Sequence, residues 1–153
     1  MSITLLDDCN AIVLRTTNSA YAFCWGEAQA PLRHLHWGTP VSDDDVRALI
    51  TVDPTTRSGI TSGSPRAFVE EFPFAGGLRR EEVAIKLELS DGVRSLDLAV
   101  HDVEVTAQHS VLATLVDTHY PVQVELQYRL DESADAIVRS ARITNTGAEP
   151  LHV

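Results

Sequence analysis

Basic side chains are scarce in this sequence. Its 153 residues carry 12 Lys and Arg against 22 Asp and Glu, a net charge of −10. A surface of that sign repels phosphate, so nucleic acid is not an expected partner. An anionic membrane surface is disfavoured for the same reason. Long apolar runs are missing too: none approaches the roughly 20 residues that span a bilayer. Met1 to Asn10 holds Asp7 and Asp8 and no basic stretch, so a signal peptide is not expected there. Cysteine is limited to Cys9 and Cys24, too few for a disulfide scaffold. The expectation is a free, partly buried pair in a reducing cytoplasm. No P-loop and no G-x-G-x-x-G occurs, and no cofactor is expected. There is no G-x-S-x-G elbow for a nucleophilic serine. Helix signals are nearly absent.

What remains has the composition of a folded domain, with 44% hydrophobic and 22% charged residues. Alternation with period two is its main pattern. In Val122 to Leu130, the residues Val122, Val124, Leu126, Tyr128 and Leu130 point one way. Gln123, Glu125, Gln127 and Arg129 point the other. Val83 to Leu89 repeats the pattern. Leu96, Leu98 and Val100 open a third strand, and the phase slips at His101 and Asp102, which predicts a bulge near His101. Ala11 to Thr16 is apolar on both parities at its start, as in a strand covered on both faces. A turn at Asn18-Ser19 joins it to Tyr21 to Trp25 as a hairpin. Leu32 to Trp37 and Ala136 to Thr144 complete the strands. Asn145-Thr146-Gly147 is expected to supply the positive φ of a tight turn.

One short helix is predicted, capped by Ser42, with Asp45 three residues on and Val46, Leu49 and Ile50 on one face. Many strands and one short helix indicate an all-β antiparallel sandwich. Between Thr51 and Gly77 the pattern dissolves into Pro and Gly, and long irregular stretches in small domains are often functional. The last residues, Glu149 to Val153, read as the start of another strand, as in a truncated piece of a larger sandwich.

Candidate chemistry is sparse. His34 and His36 are two apart on a predicted strand and so share a face, a spacing that holds metals. With no third ligand fixed nearby, packed or surface histidines are the default, and no metal site is expected. Gly76-Gly77 beside Arg79 and Arg80 is a weak phosphate cue. Paired acids such as Glu70-Glu71 read mostly as solvated surface. The segment Glu70 to Arg80 mixes acids, aromatics, glycines and arginines, as sugar sites do. A core-capping loop with solvated charges is the simpler account.

Three segments resemble one family. Leu32-Arg33-His34-Leu35-His36-Trp37-Gly38 is similar to an L-x-H-L-x-W/Y-G strand end. Glu71-Phe72-Pro73-Phe74-Ala75-Gly76-Gly77-Leu78-Arg79-Arg80 resembles a loop of glutamate, aromatic and proline followed by glycine, aspartate, phenylalanine and arginine. The alternating strand Val122 to Leu130, then Asp135, Arg139-Ser140 and Asn145-Thr146-Gly147, resembles a third signature. In series these look like the N-terminal domain of family 36 glycoside hydrolases, the bacterial-type α-galactosidases.

The resemblance implies a supersandwich of the galactose mutarotase-like kind over residues 1–153. The parent's (β/α)₈ barrel, with its catalytic aspartates, lies outside, so no catalytic residue is assigned in this chain. The implied parent reaction is retaining hydrolysis of terminal α-galactosides, by a cytoplasmic homo-oligomer. In such oligomers the loop of this domain reaches a neighbour's active site. By that correspondence Trp37, Phe74 and Arg80 are the expected substrate-binding residues. The family's loop aspartate falls on Leu78, which accepts no hydrogen bond from a sugar hydroxyl. The alternatives are a free-standing carbohydrate-binding sandwich or an oligomerisation module.

Overall fold

The computed structural model describes residues 1–26, 31–51, 70–77 and 82–153. Strands β1 (Ser2–Leu6), β2 (Ala11–Arg15), β3 (Ala20–Cys24) and β4 (Arg33–Gly38) form one antiparallel sheet in chain order. Helix α1 (Asp43–Thr51) follows. Strands β5 (Leu98–Ala107), β6 (Ser110–Asp117), β7 (Val122–Asp131) and β8 (Ala136–Asn145) form the second, also in chain order. Each sheet is a meander of hairpins, and the two pack face to face.

The period-two pattern explains the packing. Ile12, Leu14 and Phe23 of the first sheet meet Val111, Leu115, Val124, Leu126 and Tyr128 of the second in one core. The rings of Phe23 and Tyr128 stack across the interface, with centroids 4.7 Å apart. On β7 the buried residues are those the alternation assigns inward. Ala11 and Val13, on the opposite parity of β2, pack with Ala22, Cys24 and Val46 in a second cluster that includes α1. Strand β2 is thus covered on both faces, as its apolar run predicts. Burying each Val, Leu or Ile here contributes about 1.5–3 kcal/mol.

α1 starts where the sequence places it. The Asp45 N–H donates to Ser42 Oγ at 3.1 Å, and the Ser42 N–H donates back to Asp45 Oδ2 at 2.9 Å. The bulge at His101 is also present: the β5–β6 register shifts between Val100 and Asp102. Among the described residues, no helix is long and apolar enough to cross a membrane.

Several expectations need correction. Val83 to Leu89 keeps its alternation, with Ile85, Leu87 and Leu89 buried. Among the described residues it joins no ladder and makes isolated bridges, Phe74 with Ile85 and Glu88 with His152. The latter bridge gives Glu149 to Val153 its strand-like partner. The turn after β8 does not use positive φ at Asn145, Thr146 or Gly147. Instead the Gly147 N–H donates to Asn145 Oδ1 at 3.0 Å. A Cβ on Gly147 would lie 2.4 Å from Pro121 Cγ, so close approach explains the glycine. Residues 52–69, within the irregular Thr51–Gly77 stretch, lie outside the described residues.

Candidate functional site

Glu71 is the centre of the site. The N–H of Glu71 donates to the Leu32 carbonyl at 2.8 Å, and Glu70 bridges Arg33, which sets this segment beside the start of β4. Phe72 and Phe74 then enter the core. Gly76, at φ 101°, lets the chain pass within reach of Leu96; a Cβ there would sit 2.4 Å from the Leu96 carbonyl oxygen. Its conformational freedom serves chain packing, an account that makes the phosphate reading unnecessary. The Glu71 carboxylate ends up 3% exposed as a residue, between the sheets.

A buried carboxylate needs partners, and Glu71 draws them from four strands. Tyr21 of β3 donates its hydroxyl to Oε1 at 2.5 Å, and Tyr128 of β7 donates to the same oxygen at 2.8 Å. Nδ1 of His34 on β4 lies 3.2 Å from Oε2. Arg139 of β8 places Nε 3.3 Å from Oε1 and donates from Nη2 to the Glu71 carbonyl. Burial, and after it the Glu71 charge, pushes the Tyr21 and Tyr128 phenols far above the usual tyrosine range. Both therefore remain donors. Burial opposes the Arg139 cation, but Glu71 and the tyrosine oxygens beside it outweigh that and hold its pKa up.

A bulge aims His34. Ala22 pairs with His36 while Phe23 pairs with His34, so Leu35 is the extra residue. The shared-face expectation for His34 and His36 fails for that reason. Ala22 packs in the α1-side cluster and Phe23 in the central core, so their partners face opposite ways. His36 Nε2 pairs instead with the Thr39 carbonyl at 2.8 Å. The same bulge puts His34 and Trp37 on one side, flanking Tyr21. The Tyr21 ring lies 5.0 Å from that of His34 and 6.4 Å from that of Trp37, centroid to centroid. Beside this row opens a cleft of about 390 Å³, lined by Tyr21, His34, Glu71, Glu82, Ala84 and Arg139 among others.

Of the expected substrate-binding residues, Trp37 is 76% exposed at the rim of this aromatic row. Phe74 is 5% exposed and packs in the core. Arg80 lies outside the described residues, as do Leu78 and Arg79. Glu71, Tyr21, Tyr128 and Arg139 were not singled out by the sequence as a site. The signal was Arg139: β8 pairs it with inward-facing Tyr128, which puts a cation on the parity that faces the other sheet. Among the described residues, no three metal-ligating side chains cluster.

His34, Glu71 and Arg139 come from the three segments quoted above as separate motifs, and the fold brings them into one hydrogen-bonded group. Residues 30–153 match the model of the glycosyl hydrolase family 36 N-terminal domain. Among solved structures, the fold is similar to the α-galactosidase AgaB of Geobacillus stearothermophilus, with TM-score 0.77 and 21% identity over 99% of this chain and 23% of that one. It is similar to the α-galactosidase of Lactobacillus brevis, with TM-score 0.74 and 15% identity over 97% and 23%. It also resembles a variant of AgaA from G. stearothermophilus in complex with raffinose, with TM-score 0.72 and 23% identity over 93% and 23%. The chain thus spans about a quarter of the length of these structures. No curated protein matches it. With the motifs joined in space and the family model matching from residue 30 through the whole second sheet, the chain belongs to the glycosyl hydrolase family 36 N-terminal domain.

Proposed function

We propose that this chain is the non-catalytic N-terminal sandwich of an α-galactosidase-type enzyme, supporting oligomer assembly and shaping the parent's substrate site. The family match over residues 30–153 carries this reading. The parent would hydrolyse terminal α-galactosides with retention. One carboxylate attacks the anomeric carbon and a second protonates the leaving oxygen. Both belong to a barrel that is not part of these residues. Trp37 supports a substrate-facing role, because an indole left 76% exposed offers a face on which a sugar ring stacks. The free thiols Cys9 and Cys24 support a cytoplasmic setting.

The test is to read the coding frame past Val153, express the whole product and assay melibiose and raffinose. Hydrolysis with α-galactose as the first product is expected. A frame that stops at Val153, or a full-length protein inert on both sugars, overturns the enzyme reading. A first product of β configuration overturns retention alone. The exposed Trp37 also favours a second reading, a sandwich that binds carbohydrate by itself.

A further inference from the structure

We propose that this chain pairs with a second copy of itself edge to edge, strand β8 of one copy hydrogen-bonding to strand β5 of the next. The inference rests on the assembly role proposed above and assigns it a surface. β5 and β8 are the outer strands of the second sheet, and each runs for 10 residues. Among the described residues, no strand pairs with the open side of either. Such an edge presents a row of N–H and C=O groups that a further strand can take up. Residues 138–142 of β8 are all exposed, as are residues 104–107 of β5. Val138 and Val105 lie in these stretches, each 41% exposed. β5 and β8 run in opposite directions, so a copy joined to β8 through its own β5 continues the antiparallel sheet.

Charge selects the occupant. β8 carries Arg139 and Arg142 and no acid, whereas β5 carries Asp102 and Glu104 and no Lys or Arg. Either strand against its own copy sets like charges together, and β8 against β5 sets opposite ones together. Arg139 is committed to Glu71. The Arg142 side chain is 80% exposed and pairs with Glu125 at 3.9 Å, the limit of an ion pair. The ladders put Asp102, Thr114, Glu125 and Arg142 in one row, so Arg142 shares its face with Asp102 and, two residues on, with Glu104. Between its two bulges β5 is regular from Asp102 to Val105. Setting Glu104 of the second copy opposite Arg142 places the cation between that carboxylate and Glu125. The same register sets Val105 against Ala141 and Val103 against Ile143, on the parity that faces the core. The pairing is head to tail, so each end of the assembly keeps one open edge.

Sedimentation velocity and amide NMR of the chain at increasing concentration test this. Reversible self-association with a dissociation constant on the order of 0.1–1 mM is expected, because a short ladder makes a small interface. Concentration-dependent amide shifts should fall on residues 102–105 and 141–144. About 0.5 M salt should weaken the pairing several-fold. Arg142→Glu and Glu104→Arg, both at exposed positions, should each weaken it about fivefold or more. Mixed in equal amounts, the two variants should pair as tightly as the unaltered chain, because each then meets the opposite charge. A strict monomer at about 1 mM overturns the surface. So do mixed variants that stay apart. So does a loss in Arg142→Glu with none in Glu104→Arg, which would seat something other than β5 on β8. A full-length product that assembles equally well with and without Arg142→Glu overturns this surface and leaves the assembly role standing. A monomeric full-length product, with the chain still pairing by itself, upholds the surface and overturns the assembly role.

Discussion

Glu71 ties Tyr21 and His34 of the first sheet to Tyr128 and Arg139 of the second through one carboxylate. Removing it strands a guanidinium and two hydroxyls at the interface. Glu71→Ala should therefore cost about 3–5 kcal/mol. Glu71→Gln keeps the shape and part of the bonding and should cost roughly 1.5–3 kcal/mol. Urea unfolding of both variants checks this, and a loss under 1 kcal/mol for Glu71→Ala would rule out the central role. At this scale the sequence was only partly legible. Trp37 was marked from its motif, and its indole is exposed. Glu71 was not, because nothing local separates it from Glu70; its burial is decided by Phe72 and Phe74 entering the core beside it. The placement of His34 was missed because the bulge at Leu35 depends on how β3 and β4 pair.

Among the elements, what alternates was legible. Strand β7 and the slip at His101 follow directly from side-chain parity. Strand β6 escaped because Leu112 and Val116 fill its outer parity while Val111, Ala113 and Leu115 fill the inner one. Strand β1 escaped because five residues carry too few alternations to register. Val83 to Leu89 shows the converse: parity tells which side chains are buried, not whether the backbone finds a neighbour. The helix was legible from chemistry. Ser42 caps α1 reciprocally with Asp45, so Ser42→Ala should destabilise by about 1 kcal/mol. The same substitution at Ser90, exposed and outside any helix, provides the comparison in thermal melts. Equal effects would remove the capping argument.

For the whole molecule, an excess of acid sets the response to pH. Asp135 is held below its ordinary pKa by the Thr17 N–H and then Asn18, linking the β7–β8 turn to the β2–β3 turn. Hydrogen bonds from Ser42 lower Asp45, the Val93 N–H and Tyr120 lower Asp91, and the Ser133 hydroxyl lowers Asp131. A carboxylate with a depressed folded-state pKa stabilises fully above its unfolded value of 3.8 and loses that contribution as pH falls through the folded value. Melting temperature should therefore drop steeply below about pH 4, and Asp135→Asn should flatten the drop. A flat profile down to pH 2 would contradict this. The two meanders carry a further consequence, for the order of folding. Hairpin contacts join near neighbours in the chain, whereas the bonds to Glu71 span 50 residues to Tyr21, 57 to Tyr128 and 68 to Arg139. Loops of that length close at an entropic cost, so each sheet zips early and the carboxylate locks late. Glu71→Gln should then leave the refolding rate nearly unchanged and accelerate unfolding, so that Glu71 governs how long the sandwich stays closed.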